Sequence, residues 1–160
     1  MTVSLAYIGD CKVKTMSQVK SVSPAEAHAL LQECYSYLDV RNEMEFERGH
    51  PAGAFNVPLI LQTDFGPEPN EVFVDVVKKH FDIGTKLVIG CATGVRSGKA
   101  ARLLADAGYT NIVDQKAGFS GARDPFGRKS PGWVDCALPT ENGQPDGRSY
   151  EALRLKDDRE

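Results

Sequence analysis

Cys91-Ala92-Thr93-Gly94-Val95-Arg96 brings a thiol, a glycine and a permanent cation into one short stretch. Cysteine attacks as its thiolate, so the chemical question is whether the surroundings favour the anion. Gly94 allows backbone conformations closed to other residues. A curl of that kind can turn several N–H groups inward, and a helix that follows adds its positive end. Arg96 adds a full positive charge. An ordinary thiol is only about 3% thiolate at pH 7, and a bias of roughly 2.7 kcal/mol would make the anion the major form. A helix terminus supplies up to about 2 kcal/mol in favourable geometry, which leaves the remainder to Arg96 and the inward amides. A buried cysteine beside a glycine turn is the plain structural alternative. The position of the stretch between a strand and a helix favours the nucleophile.

The candidate site is therefore Cys91 as the catalytic group, with Ala92, Thr93, Gly94, Val95, Arg96 and Ser97 as the residues that contact substrate. Ser97 is also expected to cap the helix that follows. Asp39 and Arg41 close an earlier strand and are expected to support the loop. His50 raises the idea of a Cys–His dyad, but nothing in the sequence brings it to Cys91. Phe119 suits the pocket mouth and core packing equally. Arg123, Arg128 and Lys129 read as a solvated basic cluster.

The elements that must position these groups can be followed along the chain. Ser23-Pro24-Ala25-Glu26 is a capping box with proline at the first helical position. Ala27, Leu30, Leu31 and Cys34 then share one apolar helical face, which makes Cys34 a small core residue. Tyr37-Leu38-Asp39-Val40 suits a buried strand, Asn42 to Arg48 a short helix, and Ala54 to Val57 a short strand. Gln62 to Asn70, with two prolines and a glycine, reads as a surface connection, and Asn70 as the cap of a helix carrying Phe73, Val76, Val77 and His80. Lys86-Leu87-Val88-Ile89-Gly90 is the best strand, and Ala100, Leu103, Leu104 and Ala107 mark a helix stopped by Gly108. Asn111-Ile112-Val113 adds another strand. Strands alternating with helices imply an α/β domain with a mainly parallel sheet, whose sites lie beyond the carboxyl ends of the strands. Asp39-Val40-Arg41 and Gly90-Cys91 would then meet at one edge. The domain is expected to span 19–140, after an extension at 1–18 and before a flexible tail at 141–160, where glycine, proline and charge prevail.

Composition excludes several function classes. A net charge of -3 argues against general nucleic-acid binding. No apolar run approaches the roughly 20 residues of a membrane span, and the start lacks the basic leader of a secretory signal. The four cysteines include no Cys-x-x-Cys pair, so a structural zinc site is not expected, and reduced thiols in a cytoplasm-like compartment are, with an organelle as the other option.

The ordered set of motifs resembles the rhodanese superfamily, specifically its small single-domain members. The parts are Leu38-Asp39-Val40-Arg41, Glu45-Phe46, Gly49-His50-Pro51-Ala52-Gly53-Ala54-Phe55-Asn56-Val57-Pro58, the loop Cys91 to Arg96 with Ser97, and Ala117-Gly118-Phe119. Gly132-Trp133 and Ala137-Leu138-Pro139 look like the closing segment of some bacterial and plant members. The resemblance implies a five-stranded, mainly parallel sheet flanked by helices on both faces. It also implies sulfur transfer through a Cys91 persulfide, from a donor such as thiosulfate to a thiol or cyanide acceptor, with no cofactor. Related phosphatases and arsenate reductases carry Cys-x5-Arg, whereas the spacing here is Cys-x4-Arg, which matches the sulfur-handling group. Ala92 and Thr93 stand where thiosulfate-preferring relatives often carry a basic side chain. Gly-His-Pro-Ala also transposes the proline of the commoner Gly-His-Ile-Pro pattern. These departures leave the donor open and admit a protein partner, either as sulfur acceptor or as the one served by a non-enzymatic carrier module.

Overall fold

The computed structural model describes residues 19–155; the expected extension at 1–18 and the last five residues lie outside them. In chain order the elements are β1 (Lys20–Val22), α1 (Pro24–Leu31), β2 (Ser36–Asp39), α2 (Glu43–Arg48), β3 (His50–Pro51), β4 (Phe55–Asn56), β5 (Ile60–Thr63) and β6 (Gly66–Pro69). They continue with α3 (Phe73–His80), β7 (Leu87–Gly90), α4 (Val95–Asp106), β8 (Ile112–Gln115), β9 (Ala122–Arg123), β10 (Lys129–Ser130), β11 (Thr140–Glu141) and α5 (Tyr150–Leu155).

Five strands form the main sheet in the order β1-β8-β7-β2-β4, and every neighbouring pair is parallel. The period-two alternation of a strand sorts its side chains onto two faces. Leu38, Leu87 and Ile89 join α3, α4 and α5 in one core. Tyr37 and Val88 join Ala27 of α1, Phe46 of α2 and Trp133 in the other. Both faces of the sheet are thereby covered, which is why Leu87–Gly90 is buried throughout. Register pairs Asp39 with Gly90 and Gly90 with Gln115, so β2, β7 and β8 end at one level.

Four expectations change. α1 ends at Leu31, and Cys34 is exposed in a left-handed turn (φ 73°) instead of extending the apolar face. The stretch read as a surface connection is a β-hairpin, β5 against β6. Its prolines are tolerated because a two-stranded hairpin is all edge. Asn70 does not cap α3, whose N-cap is Val72 without a side-chain bond. It sits one step earlier, accepting from the Val72 amide while its own amide reaches Pro58 O and the Tyr150 hydroxyl.

The largest change concerns the segment from 141, expected as a loose tail. It is packed through residue 155. β11 pairs with β3, the Asn56 amide of edge strand β4 donates to Arg148 O, and Tyr150 and Leu153 are 4% and 3% exposed in the core. Tyr150 and Leu153 stand at i and i+3 on α5, so a short helix presents both to α3 and β4.

Candidate active site

Cys91 follows the last residue of β7 and is 2% exposed. Its Sγ accepts from the backbone amides of Gly94 (3.1 Å) and Ser97 (3.2 Å). The loop between them closes because Gly94 is left-handed (φ 98°), at the N-cap of α4. A Cβ there would also collide with Lys116 O, so glycine is required by both conformation and space. α4 starts without a side-chain cap. The amides of Val95 and Arg96 have no acceptor within the helix, and none among the described residues, so they remain available beside the sulfur.

A second layer fixes the loop from below and behind. The amides of Phe119 and Ser120 donate to Cys91 O (2.7 Å) and Ala92 O (2.9 Å). Gly118 approaches so closely that a Cβ would strike the Ala92 carbonyl. The Gln115 side chain holds that strap, accepting from the Gly118 amide (2.9 Å) and donating to the Tyr37 hydroxyl (3.2 Å). Tyr37 lies under Gly90, where any side chain would meet its hydroxyl. Burial, with the Asp39 charge behind it, pushes the Tyr37 phenol well above its ordinary range, so the hydroxyl stays protonated as a strut.

The sequence-derived residues fall into place unevenly. Asp39 and Arg41 form a buried pair (Nη2 to Oδ2, 2.8 Å; Nε to Oδ1, 3.0 Å), and Arg41 also donates to Gly49 O and lies 4.4 Å over the Phe119 ring. They brace the loop edge. Arg96 does not stand free beside the sulfur. Its guanidinium grips Glu45 in a fork, at 2.7 and 3.1 Å. Glu45 in turn completes the capping box of α2 with Asn42. Burial works to raise the Glu45 carboxyl, but bonds from Arg96 and the Asn42 amide outweigh it and hold the carboxyl below its ordinary value. Ser97 is not the cap but the third helical residue, fully buried; its amide reaches the sulfur and its hydroxyl donates to Gly94 O (3.3 Å). Thr93 and Val95 point outward, and Ala92 is half-buried.

His50 lies apart from the thiol. Its ring stacks on Phe46 at 3.6 Å and contacts Phe46 O and Glu141 Oε2. Arg128 and Lys129 pair with Asp124 and Asp135, and Arg123 donates to Gly127 O, so the basic cluster is an internally paired hairpin surface. Among the described residues no group of three His, Cys, Asp or Glu side chains is placed to hold a metal ion. Sequence reading missed Tyr37, Glu45, Gln115 and Gly118 as site residues. Glu45 and Gly118 carried a signal in their motifs, whereas Tyr37 and Gln115 meet across 78 residues and carried none.

This arrangement offers a thiol held by two backbone amides, with no general base hydrogen-bonded to it among the described residues. It suits attack on a polarisable sulfur better than work needing a proton relay. A family model described as Rhodanese-like domain matches residues 23–124. The chain is 37% identical over 121 residues to Thiosulfate sulfurtransferase 16, chloroplastic, of Arabidopsis thaliana, covering 76% of this chain and 92% of that protein. It is 34% identical over 132 residues to Thiosulfate sulfurtransferase 18 of the same plant, covering 80% and 89%. Among solved structures it resembles that of Rv0390 from M. tuberculosis, with a TM-score of 0.66 and 25% identity over 79% of this chain and all of that one.

Proposed function

The chain belongs to the family of rhodanese-like domains, and from that premise we propose that it is a sulfurtransferase carrying sulfane sulfur on Cys91. The observation that carries the reading is the pair of backbone amides on Sγ, 3.1 and 3.2 Å away, at the amino end of α4. In the first step the Cys91 thiolate attacks the outer sulfur of a donor such as thiosulfate. A new S–S bond forms, the donor S–S bond breaks, and sulfite departs with the electron pair. In the second step a thiolate or cyanide attacks the outer sulfur of the Cys91 persulfide. That S–S bond breaks, the acceptor leaves as a persulfide or thiocyanate, and Cys91 returns as thiolate. Dividing one transfer into two displacements is the gain of covalent catalysis. In this scheme the amides of Val95 and Arg96, in the first turn of α4, stabilise the charge on the transferred sulfur as an oxyanion hole does for oxygen.

Arg96 acts mainly on shape in this scheme, because Glu45 already neutralises much of its charge. That observation favours a second reading, a module that receives sulfur from, and delivers it to, a dedicated protein partner. Val95, in the first turn of α4 beside the loop, offers an uncharged side chain at 66% exposure. Thiosulfate with cyanide should yield thiocyanate, and Cys91→Ser should abolish it; equal turnover in the variant would remove Cys91 from the reaction. Slow turnover with every small acceptor, beside fast transfer to one protein thiol, would select the carrier reading. Three of the cysteines, Cys34, Cys91 and Cys136, are free thiols, and a reducing compartment is proposed for the working protein. No helix among the described residues is long and apolar enough to cross a membrane.

A further inference from the structure

Two ion pairs brace the edge of the Cys91 loop, and they differ in what they meet. Asp39 and Arg41 are enclosed, with side chains 2% and 5% exposed, and serve structure alone. Glu45 and Arg96 are joined as tightly, at 2.7 and 3.1 Å, but their side chains are 28% and 25% exposed. The second pair therefore faces the solvent from which a reagent arrives. Arg96 is the one charged residue of the loop 91–96. The peptide group that follows its Cα carries the Ser97 amide, which bonds Sγ at 3.2 Å. This tether holds the pair on the order of 10 Å from the sulfur, about one Debye length at 0.1 M salt. Glu45 reaches it from α2, where its Oε1 also accepts from the Asn42 amide (3.1 Å) in the capping box. A capping box needs only an acceptor at that position, and glutamine supplies one as well as glutamate does. The negative charge of Glu45 is thus not required by α2, and its place is against the loop's own cation.

We infer that Glu45 is a specificity-determining residue of the Cys91 site: by cancelling the charge of Arg96 it biases the site against highly anionic donors, favouring a hydropersulfide over the thiosulfate dianion. A hydropersulfide brings at most one charge to the reacting end. In that step the Cys91 thiolate attacks the outer sulfur of R–S–S–H, and the Cys91 persulfide forms. The S–S bond of the donor breaks, and R–S⁻ leaves with the electron pair and takes a proton from water. With both pairs intact, Asp39, Arg41, Glu45 and Arg96 sum to zero charge. Removing the Glu45 charge alone leaves one net positive charge beside the loop. Lys116, whose carbonyl and side chain flank Gly94, is common to every variant below and drops out of the comparison.

The inference rests on the proposed sulfurtransferase reading for its donors, but the charge effect on Cys91 is read by alkylation, which needs no donor, so the two can fail separately. Modification of the Cys91 peptide in the full chain is followed by mass spectrometry with anionic iodoacetate and with neutral iodoacetamide. A change in thiolate fraction or loop opening scales both rates and cancels in their ratio. At about 10 mM salt, Glu45→Gln should raise the iodoacetate-to-iodoacetamide ratio by about threefold, the scale of one unit charge acting across roughly 10 Å of a water-like medium. Near 1 M salt, where the Debye length is about 3 Å, the gain should vanish. Arg96→Gln makes the opposite change and should lower the ratio by a similar factor, which keeps the test readable where Glu45→Gln fails to fold. Glu47→Gln removes an exposed charge of the same helix, one that bonds Gln144 instead of the loop, and should leave the ratio unchanged. A low-salt ratio equal to that of the parent in Glu45→Gln or Arg96→Gln would overturn the inference. So would a gain that survives high salt, or an equal gain in Glu47→Gln. In turnover, kcat/KM for thiosulfate relative to a small-thiol hydropersulfide should rise by about threefold or more in Glu45→Gln; an unchanged ratio overturns the donor preference.

Discussion

Donors converge on two acceptors in this fold, and the two are matched very differently. Sγ of Cys91 receives backbone amides from Gly94 and Ser97. Oε2 of Glu141 receives the Gly53 amide (3.0 Å), His50 Nε2 (3.0 Å) and the Arg148 guanidinium (2.6 Å). The carboxylate is met by a full positive charge. Arg148 leads, burial opposes, and the Gly53 and His50 bonds add to bring Glu141 down to about 2. The sulfur is met by amide dipoles, and the guanidinium of its own loop is turned to Glu45. A carboxylate saturated with donors joins three chain segments. In the proposed reaction, a sulfur held by dipoles and not locked to a counter-charge stays free to attack a donor.

If that contrast is right, disturbing the dipole cradle should remove activity, and disturbing the charged lock should remove stability. Gly94→Ala gives the largest expected effect. The added methyl meets Lys116 O and resists the left-handed backbone. Turnover should fall by about 100-fold or more, the scale of a lost oxyanion donor, and a steady-state assay on the folded variant would measure it. Near-normal turnover would show that the amide ring is dispensable.

Next comes Leu153→Ala, which empties a core position on α5 behind the lock. Truncating a buried leucine costs about 2–5 kcal/mol, so the midpoint of urea unfolding should drop clearly. A variant as stable as the parent would mean that the carboxyl segment is only draped on the domain. The smallest effect is expected from Glu141→Gln, about 1–2 kcal/mol at neutral pH, because the carboxylate is partly exposed and screened. Its pH dependence is specific. Glu141 is lowered in the fold, so its contribution is complete above its ordinary value of 4.5 and is lost as pH falls toward about 2. The stability gap between parent and variant should narrow over that acid window. A gap that widens there would reverse the sign of the argument.

Legibility in the sequence followed distance along the chain. The Ser23 capping box, the β7–loop–α4 unit and the stop at Gly108 are local, and each is present in the structure. The alternating elements were enough to imply the parallel sheet. What could not be read is what joins remote positions: Arg96 to Glu45 across 51 residues, Gln115 to Tyr37 across 78, and His50 to Glu141 across 91. Side-chain partners at such separations leave no periodic trace. Local pattern also misled at both ends. At Cys34 the helical spacing continued on paper past a helix that had stopped at Leu31. From residue 141 onward, glycine and proline suggested looseness and hid two core residues at i and i+3.

The central claim is that Cys91, held by dipoles in its loop, is where the sulfur resides between the two halves of the reaction. Peptide mass spectrometry after treatment with a sulfane-sulfur donor and removal of excess donor tests it directly. The account predicts one added sulfur on the peptide containing Cys91, lost again on addition of cyanide or an acceptor thiol. Added sulfur on the exposed Cys34 or Cys136, with Cys91 unmodified, would contradict it.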